Sequence, residues 1–499
     1  MLLYMLQKIL RSIYVRTRHM KMIRIIPTAF LFSAVAVCQS LPDSEPPYTA
    51  MGVKVGEVTP HSALLHVRLT ARPHRNDVGM DFPTPNHNIP LGRLKANRVD
   101  RPVAELEGDC PGKAGFVRII HATNPRFVPS VKTRWIRVRP ESDFACTFPL
   151  NRLQPENVYL YQVETALDTI HPVRRVSGSF RTAPEPNTWR AVSFTVITGQ
   201  HYMCRDTAGG YKTYAAMKAF NPDFLVSTGD NVYYDNEPPL ACGVELARYH
   251  WHRMYSQPLL ADFFRTIPGY WEKDDHDILF DDCYPALKAE AMLPLTFEDG
   301  QRIFREAVPV PDVPYRRLRW GRGLEIWLTE GRDFRSPNPA PDGPEKTIWG
   351  KEQKAWLKRT LLESDARFRV LVSPTPLVGP DRSSKGDNHS NAAFAAEGKE
   401  FRNWVHTHKL VNFFVACGDR HWQYHSVDPE TGLQEFSCGP VSNRHAGGSP
   451  GEDPKFHRFH RVGGGFLSIS LRSSAGQPEL QFRFHDVNGN VLYEYIARR

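Results

Sequence analysis

The chain has 499 residues, 41% of them hydrophobic and 23% charged, which excludes both a single small domain and global disorder. Its formal net charge of +9 invites a polyanion as partner. Six of those charges (Lys8, Arg11, Arg16, Arg18, Lys21 and Arg24) fall in residues 1–36, which contain no acid; that leaves +3 for the rest and no dense basic stripe, so nucleic acid is not the default partner.

The N-terminal segment reads as a targeting signal. After the basic stretch comes a mostly apolar run, Ile25 to Val37, interrupted at Pro27, Thr28 and Ser33 and ending in Ala34-Val35-Ala36, an A-x-A-like cleavage site. The run is shorter than the roughly 20 apolar residues a membrane span needs. Residues 1–36 are therefore expected to be a signal peptide, and the protein to be exported to the periplasm, the cell surface or the medium. Met20 or Met22 is an alternative start. Cys38 permits a lipid anchor, although Val37 before it fits poorly. Seven further cysteines remain, an odd number; Cys110 with Cys146 and Cys204 with Cys242 are the pairings suggested, with connectivity open.

Residues 41–47 form a Pro-rich linker. Short runs with alternating apolar side chains follow: Gly52 to Val58, Ser62 to Leu69, Phe116 to Ile120, Trp135 to Val138 and Ser177 to Thr182. Leu153 to Tyr161 resembles the turn that places a corner tyrosine in immunoglobulin-like sandwiches. Residues 48–185 are thus expected to be a small all-β domain of the immunoglobulin or fibronectin type III kind. The pattern then changes. Val192 to Ile197, Asp223 to Ser227, Phe368 to Val372 and Leu410 to Ala416 read as buried strands; Tyr211 to Phe220 and Trp349 to Leu362 read as helices. Gly465 to Ile496 alternates like the strands of a closing sheet. Residues 190–499 are expected to be an α/β domain, with functional groups just past the carboxyl ends of its strands.

Three constellations sit at such ends. Gly229-Asp230-Asn231-Val232-Tyr233-Tyr234-Asp235 offers a carboxylate able to bridge two cations and a phenol able to bind a hard ferric ion; a plain turn with Asp230 on backbone amides is the alternative. Lys273-Asp274-Asp275-His276-Asp277 crowds three acids that repel one another unless a cation or water relieves them. Cys417-Gly418-Asp419-Arg420-His421 places two donors two residues apart at a strand end.

The order Gly-Asp-x-x-Tyr, Asp-Asp-His-Asp, Gly-Asp-x-His resembles the calcineurin-like metallophosphoesterases, in their PhoD-like alkaline phosphatase branch. Trp327 to Ser336 looks like the family's Asp-Thr-Arg-x-Tyr-Arg segment, with Glu330 at the acid. Gly350 to Leu357 looks like its Gly-x-x-Gln-x-x-Trp-Leu helix. The resemblance implies a metallophosphoesterase-type β-sandwich core flanked by helices, and hydrolysis of a phosphate-ester small molecule or a phosphodiester polymer. It also implies two or more metal ions, iron and/or calcium. Asp230 would bridge them, Tyr233 and His421 would complete one position, and Asp275 and Asp419 would hold the other. His276 would protonate the leaving oxygen or bind phosphate, and Arg332 or Arg335 would hold phosphoryl oxygens. The chain departs from the family at Thr198-Gly199-Gln200, where the family has Ser-Cys-Gln with the cysteine on iron; His201 is the candidate substitute ligand, or else only lines the pocket, Cys204 is a weaker candidate, and the metal identity stays open. Asp387, Asn388 or His389 offers a further ligand or a plain polar loop. The alternative function is a non-catalytic cell-surface binding protein on a degenerate metallophosphatase scaffold.

Overall fold

A computed structural model describes residues 45–82, 99, 101–171, 173–474 and 476–498; the expected signal peptide and Cys38 lie outside them. The strands of the first region are β1 (Val53–Gly56), β2 (Ser62–Arg68), β3 (Gly115–Ala122), β4 (Val131–Lys132), β5 (Ile136–Val138), β6 (Ala145–Asn151), β7 (Val158–Ala166) and β8 (Arg174–Arg181). The second region adds β9 (Val192–Ile197), β10 (Phe224–Thr228), β11 (Gly269–Glu272), β12 (Arg316–Trp320), β13 (Leu324–Leu328), β14 (Phe368–Ser373) and β15 (Phe413–Cys417). These are followed by β16 (Gln423–Val427), β17 (Gln434–Cys438), β18 (His457–Arg461), β19 (Gly465–Ser474), β20 (Gln477–Asp486) and β21 (Val491–Arg498).

Two large mixed sheets carry the molecule. One has nine strands in the order β21-β20-β19-β9-β10-β11-β1-β2-β6, the other seven in the order β12-β13-β14-β15-β17-β16-β18. The strand β9 explains their packing. Val192, Phe194 and Val196 alternate onto the face that meets the second sheet, where Ile326, Val370 and Phe436 await them, while Ile197 points to the opposite core under the helices. A central strand buried on both faces reads as a near-continuous apolar run, as β9 and β10 do. Aromatic pairs fix the seam: Phe194 stacks on Phe224 at 4.8 Å between ring centres and Phe436 on Phe482 at 4.1 Å. Truncating such a ring to alanine costs about 3–5 kcal/mol. The fold is therefore a mixed α/β, sheet-rich sandwich, with helices such as Lys212–Phe220, Val244–Tyr255 and Gly350–Glu363 outside it.

The first region is joined to this body by a sheet pairing. β1 pairs antiparallel with β2 and parallel with β11, with Gly56 opposite Gly269. Strands β4-β3-β7-β8, with β5 on β3, make the third sheet. The Tyr159 hydroxyl accepts from Gln154 N at 2.8 Å, a corner-type contact. The suggested Cys110–Cys146 pairing is not made: Cys110 Sγ donates to the Gly108 carbonyl. Among the described residues no helix is long and apolar enough to cross a membrane.

Candidate active site

Strands β9, β10 and β11 run parallel in one sheet, and β13, β14, β15 and β17 run parallel in the other. Their carboxyl ends deliver the loops that hold His201, Asp230, Asp275, Arg332, Asp387, His421 and His445. Close approach of these loops demands small residues. A Cβ on Gly229, whose φ is +104°, would lie 2.5 Å from the Asp274 Cβ, so only glycine lets the Asp230 and Asp275 loops touch. Asp230 and Asp419 themselves have φ of 52° and 62°, a left-handed conformation that costs an ordinary residue about 1–2 kcal/mol. Strain of this kind collects at functional sites.

Three predicted ligand atoms converge. The Tyr233 hydroxyl donates to Asp230 Oδ2 at 2.9 Å and lies 3.1 Å from His421 Nε2, which is 3.5 Å from the same carboxylate oxygen. Burial pushes the Asp230 carboxyl well above its usual range, with the charges of Asp275 and Asp274 adding to the effect against His276. Its other oxygen, Oδ1, is buried without a hydrogen-bond partner. An orphaned carboxylate oxygen in a cluster of acids is what a cation relieves, so the residues present fit a metal. Burial, then Asp230, pushes the Tyr233 phenol up as well. Metal-ligand atoms of Asp230, Asp275 and His276 lie within 4.8 Å of one another, and those of Asp275, Asp281 and Asp282 form a second such group.

His276 is set by two neighbours. Its Nδ1 is 2.7 Å from Asp235 Oδ1, and its Nε2 is 3.9 Å from Asp281 Oδ1. Burial opposes the imidazolium, yet Asp235 and Asp275 outweigh it and raise the group well above its ordinary value. Asp277 faces backbone instead. Its carboxylate accepts from Asn231 N, Val232 N and Asp274 N at 2.8–3.1 Å, tying the Asp230 and Asp275 loops together. His201 Nδ1 lies 2.8 Å from Glu237 Oε1, and Glu237 is held in turn by Arg253 at 2.8 Å. A carboxylate behind a histidine fixes its tautomer and aims the opposite ring nitrogen.

Arg332 is wholly buried. It pairs with Asp274, lies 3.7 Å from both Asp275 and Asp387, and donates to the Cys283 carbonyl at 3.3 Å. These are the contacts of a strut between carboxylates, whereas a clamp on phosphoryl oxygens needs an open face. Arg335 is buried too, with Nε on the Gly331 carbonyl. Asp419 pairs with the adjacent Arg420, which also reaches Asp381 at 2.8 Å. Asp387 sits between Arg332 and Arg420, which with Lys385 hold its carboxyl low against the effect of burial. Asn388 bonds Asp381, and His389 bonds Glu397 at 2.9 Å, one layer behind the site. Glu330 engages Lys273 at 2.5 Å, and its backbone is clamped by Gln353 through 2.7 and 2.9 Å bonds. Sequence reasoning missed Glu237, Asp281, Asp282 and His445 as site residues. Asp281 and Asp282 stood a few residues beyond a recognised motif; His445 carried no motif at all.

A two-sheet sandwich with acids, histidines and a tyrosine at strand carboxyl ends defines a metallophosphatase-like protein. Among solved structures it superimposes on PhoD with a TM-score of 0.68, at 17% identity over 92% of this chain and 90% of that one. Purple acid phosphatase PPD1 from yellow lupin (Lupinus luteus) seeds gives 0.58, at 10% identity over 89% and 73%. The PhoD-like phosphatase family model matches residues 194–463, more than half of the chain, and the chain belongs to that family. It is 24% identical over 394 residues to alkaline phosphatase D of Bacillus subtilis (strain 168), covering 70% of this chain and 66% of that protein, just under two thirds of its length.

Proposed function

We propose that the chain is an exported, metal-dependent phosphoesterase that hydrolyses phosphate esters of the mono- or diester kind. The observation that carries the reading is the convergence of Tyr233 and His421 on Asp230, beside Asp275 and His276, with the buried Asp230 Oδ1 lacking a hydrogen-bond partner. Asp230, Tyr233 and His421, with His201, would hold one cation, and Asp275 with Asp419 the other; iron and calcium are the identities the resemblance implies. Bound cations supply Lewis acidity toward water and phosphoryl oxygens. The chain supplies the rest. His276, held as imidazolium by Asp235, donates its proton to the leaving oxygen. Arg332 keeps Asp275 in place without contacting substrate, and Asp277 keeps the Asp230 and Asp275 loops in register. Export rests on the basic, apolar and Ala-Val-Ala pattern of residues 1–36. We assign residues 48–185 as an immunoglobulin-like support domain of the catalytic body, residues 190–499. Tyr161 and Tyr270 hydroxyls link the two regions through the Arg265 and Val58 carbonyls at 2.9 and 2.6 Å.

The test is metal analysis of the purified protein together with turnover of an aryl phosphate monoester and a bis-aryl diester. Turnover that is lost on chelation and restored by metal supports the reading. A metal-loaded protein that turns over neither substrate overturns it in favour of a non-catalytic binding protein.

A further inference from the structure

His445 lies beyond β17 in a short turn that no motif marks, and the loop carrying it is pinned to the site at three places. Pro440 bridges Thr198 at the end of β9, Gly447 N donates to the His421 carbonyl at 3.0 Å, and Ser442 Oγ donates to Asp206 at 3.2 Å. These anchors set the His445 ring against three others: His421 at 3.9 Å between centres, His201 at 5.1 Å and Tyr233 at 5.2 Å. Its Nδ1 lies 3.0 Å from the Gly199 carbonyl. An N–H···O=C bond at Nδ1 leaves the Nε2 lone pair as the basic one, on the opposite edge of the ring.

Gly199 makes room for that ring. At its φ of +63° a Cβ would stand 3.3 Å from His445 Nδ1, 3.3 Å from His421 Cδ2 and 3.1 Å from Pro440 Cβ. Any side chain at 199 would press on both histidines. Three imidazoles and a phenol packed ring to ring waste polar edges if they serve only as filler, since carbon rings pack as well without them. Around a cation the same edges become donors.

We propose that His445 is a direct ligand of the cation held by Asp230, Tyr233 and His421, so that this position is nitrogen-rich, with His201 as a further imidazole. The inference rests on the metal-dependent reading above and goes beyond it by assigning a ligand. Such a donor set suits zinc, cobalt(II) or iron.

The experiment is titration of chelator-stripped full-length protein with cobalt(II), read by its visible d–d absorption and by metal content. The unaltered chain takes up at least two equivalents. His445→Ala loses or weakens one of them at least tenfold and leaves the other. His445→Cys supplies the sharper readout: a thiolate reaching the ion adds a near-ultraviolet sulfur-to-cobalt charge-transfer band, which a merely positional residue does not produce. Gly199→Ala weakens the same equivalent by displacing the ring. Unchanged cobalt binding in His445→Ala, or binding by His445→Cys without the band, overturns the proposal while the phosphoesterase reading stands. A chain that takes up no cobalt overturns both.

Discussion

On one side of Asp230 the site is made of rings, His201, Tyr233, His421 and His445; on the other it is made of carboxylates laced to guanidinium groups, Asp274, Asp275 and Asp387 with Arg332 and Arg420. The ring side is aimed from behind, by Glu237 on His201 and by the Gly199 carbonyl on His445. The charged side is neutralised from within, each acid facing a buried arginine. Buried ion pairs hold position at a desolvation cost and collapse when one partner is removed. The uncompensated acid, Asp230, sits between the two sides. The charged side is therefore positioned by ion pairs within the fold, whereas in the reading proposed above the ring side would depend more on the cation it holds.

The largest effect is expected at the residue that touches both sides. His276→Asn should slow hydrolysis of alkyl phosphates by ~10²–10⁴-fold, and activated aryl phosphates far less, with metal content near normal. Asp275→Asn should lose metal and activity together. Equal penalties for both leaving groups, measured by steady-state kinetics, would remove His276 as the proton donor.

Arg332→Met tests the charged side. It strands Asp274 and Asp387 without their shared guanidinium, and urea denaturation should report a loss of about 3–5 kcal/mol whether or not chelator is present. Arg332→Lys should recover little of it, because one ammonium cannot span three acids. A loss that appears only in the metal-loaded protein would erase the distinction between the two sides.

His201→Gln tests the ring side. It removes the imidazole while Glu237 keeps its buried pair with Arg253, and metal affinity should fall by roughly tenfold or more with modest change in urea stability. A stability loss as large as that of Arg332→Met would show the ring side to be fold-organised too.

The smallest effect concerns the acid limb of stability. Burial works against the charge of Glu397, but hydrogen bonds from His389, Thr347 and Ile348 N hold its carboxyl down at about 2. A depressed carboxyl contributes stability that is full above its unfolded value near 4.5 and is lost as pH falls toward 2. Glu397→Gln should therefore flatten the stability profile between those pH values and leave metal binding unchanged. Acid titration followed by circular dichroism measures it; an unaltered slope would count against the assignment.

The strands legible in the sequence were those whose periodicity is local. Val192 to Ile197 folds as β9 with the expected bounds, and the expected runs at Phe368 and Leu410 become β14 and β15 with shifts of one to three residues. Asp230, Asp275 and His421 drew the sequence reading because each stands just past the carboxyl end of a buried strand, β10, β11 or β15, where a polar residue of that kind is not needed for packing. What stayed hidden depends on contacts across hundreds of residues. Nothing near Gly56 signals that β1 pairs with β11, and nothing near His445 signals the Thr198–Pro440 bridge that brings it to Gly199. Arg332 looked available for substrate because a sequence does not say which guanidinium groups are already surrounded by acids.

The parallel pair between β1 and β11 has a consequence for synthesis. β1 is made early, yet its partner beside the Asp275 loop emerges from the ribosome more than two hundred residues later. At roughly 5–20 residues per second that is a wait of about 10–40 s. During that interval one edge of β1 has no mate, and an unpaired strand edge is a template for aggregation. The sheet pairing that joins the first region to the second therefore cannot be made until the nascent polypeptide has passed Glu272.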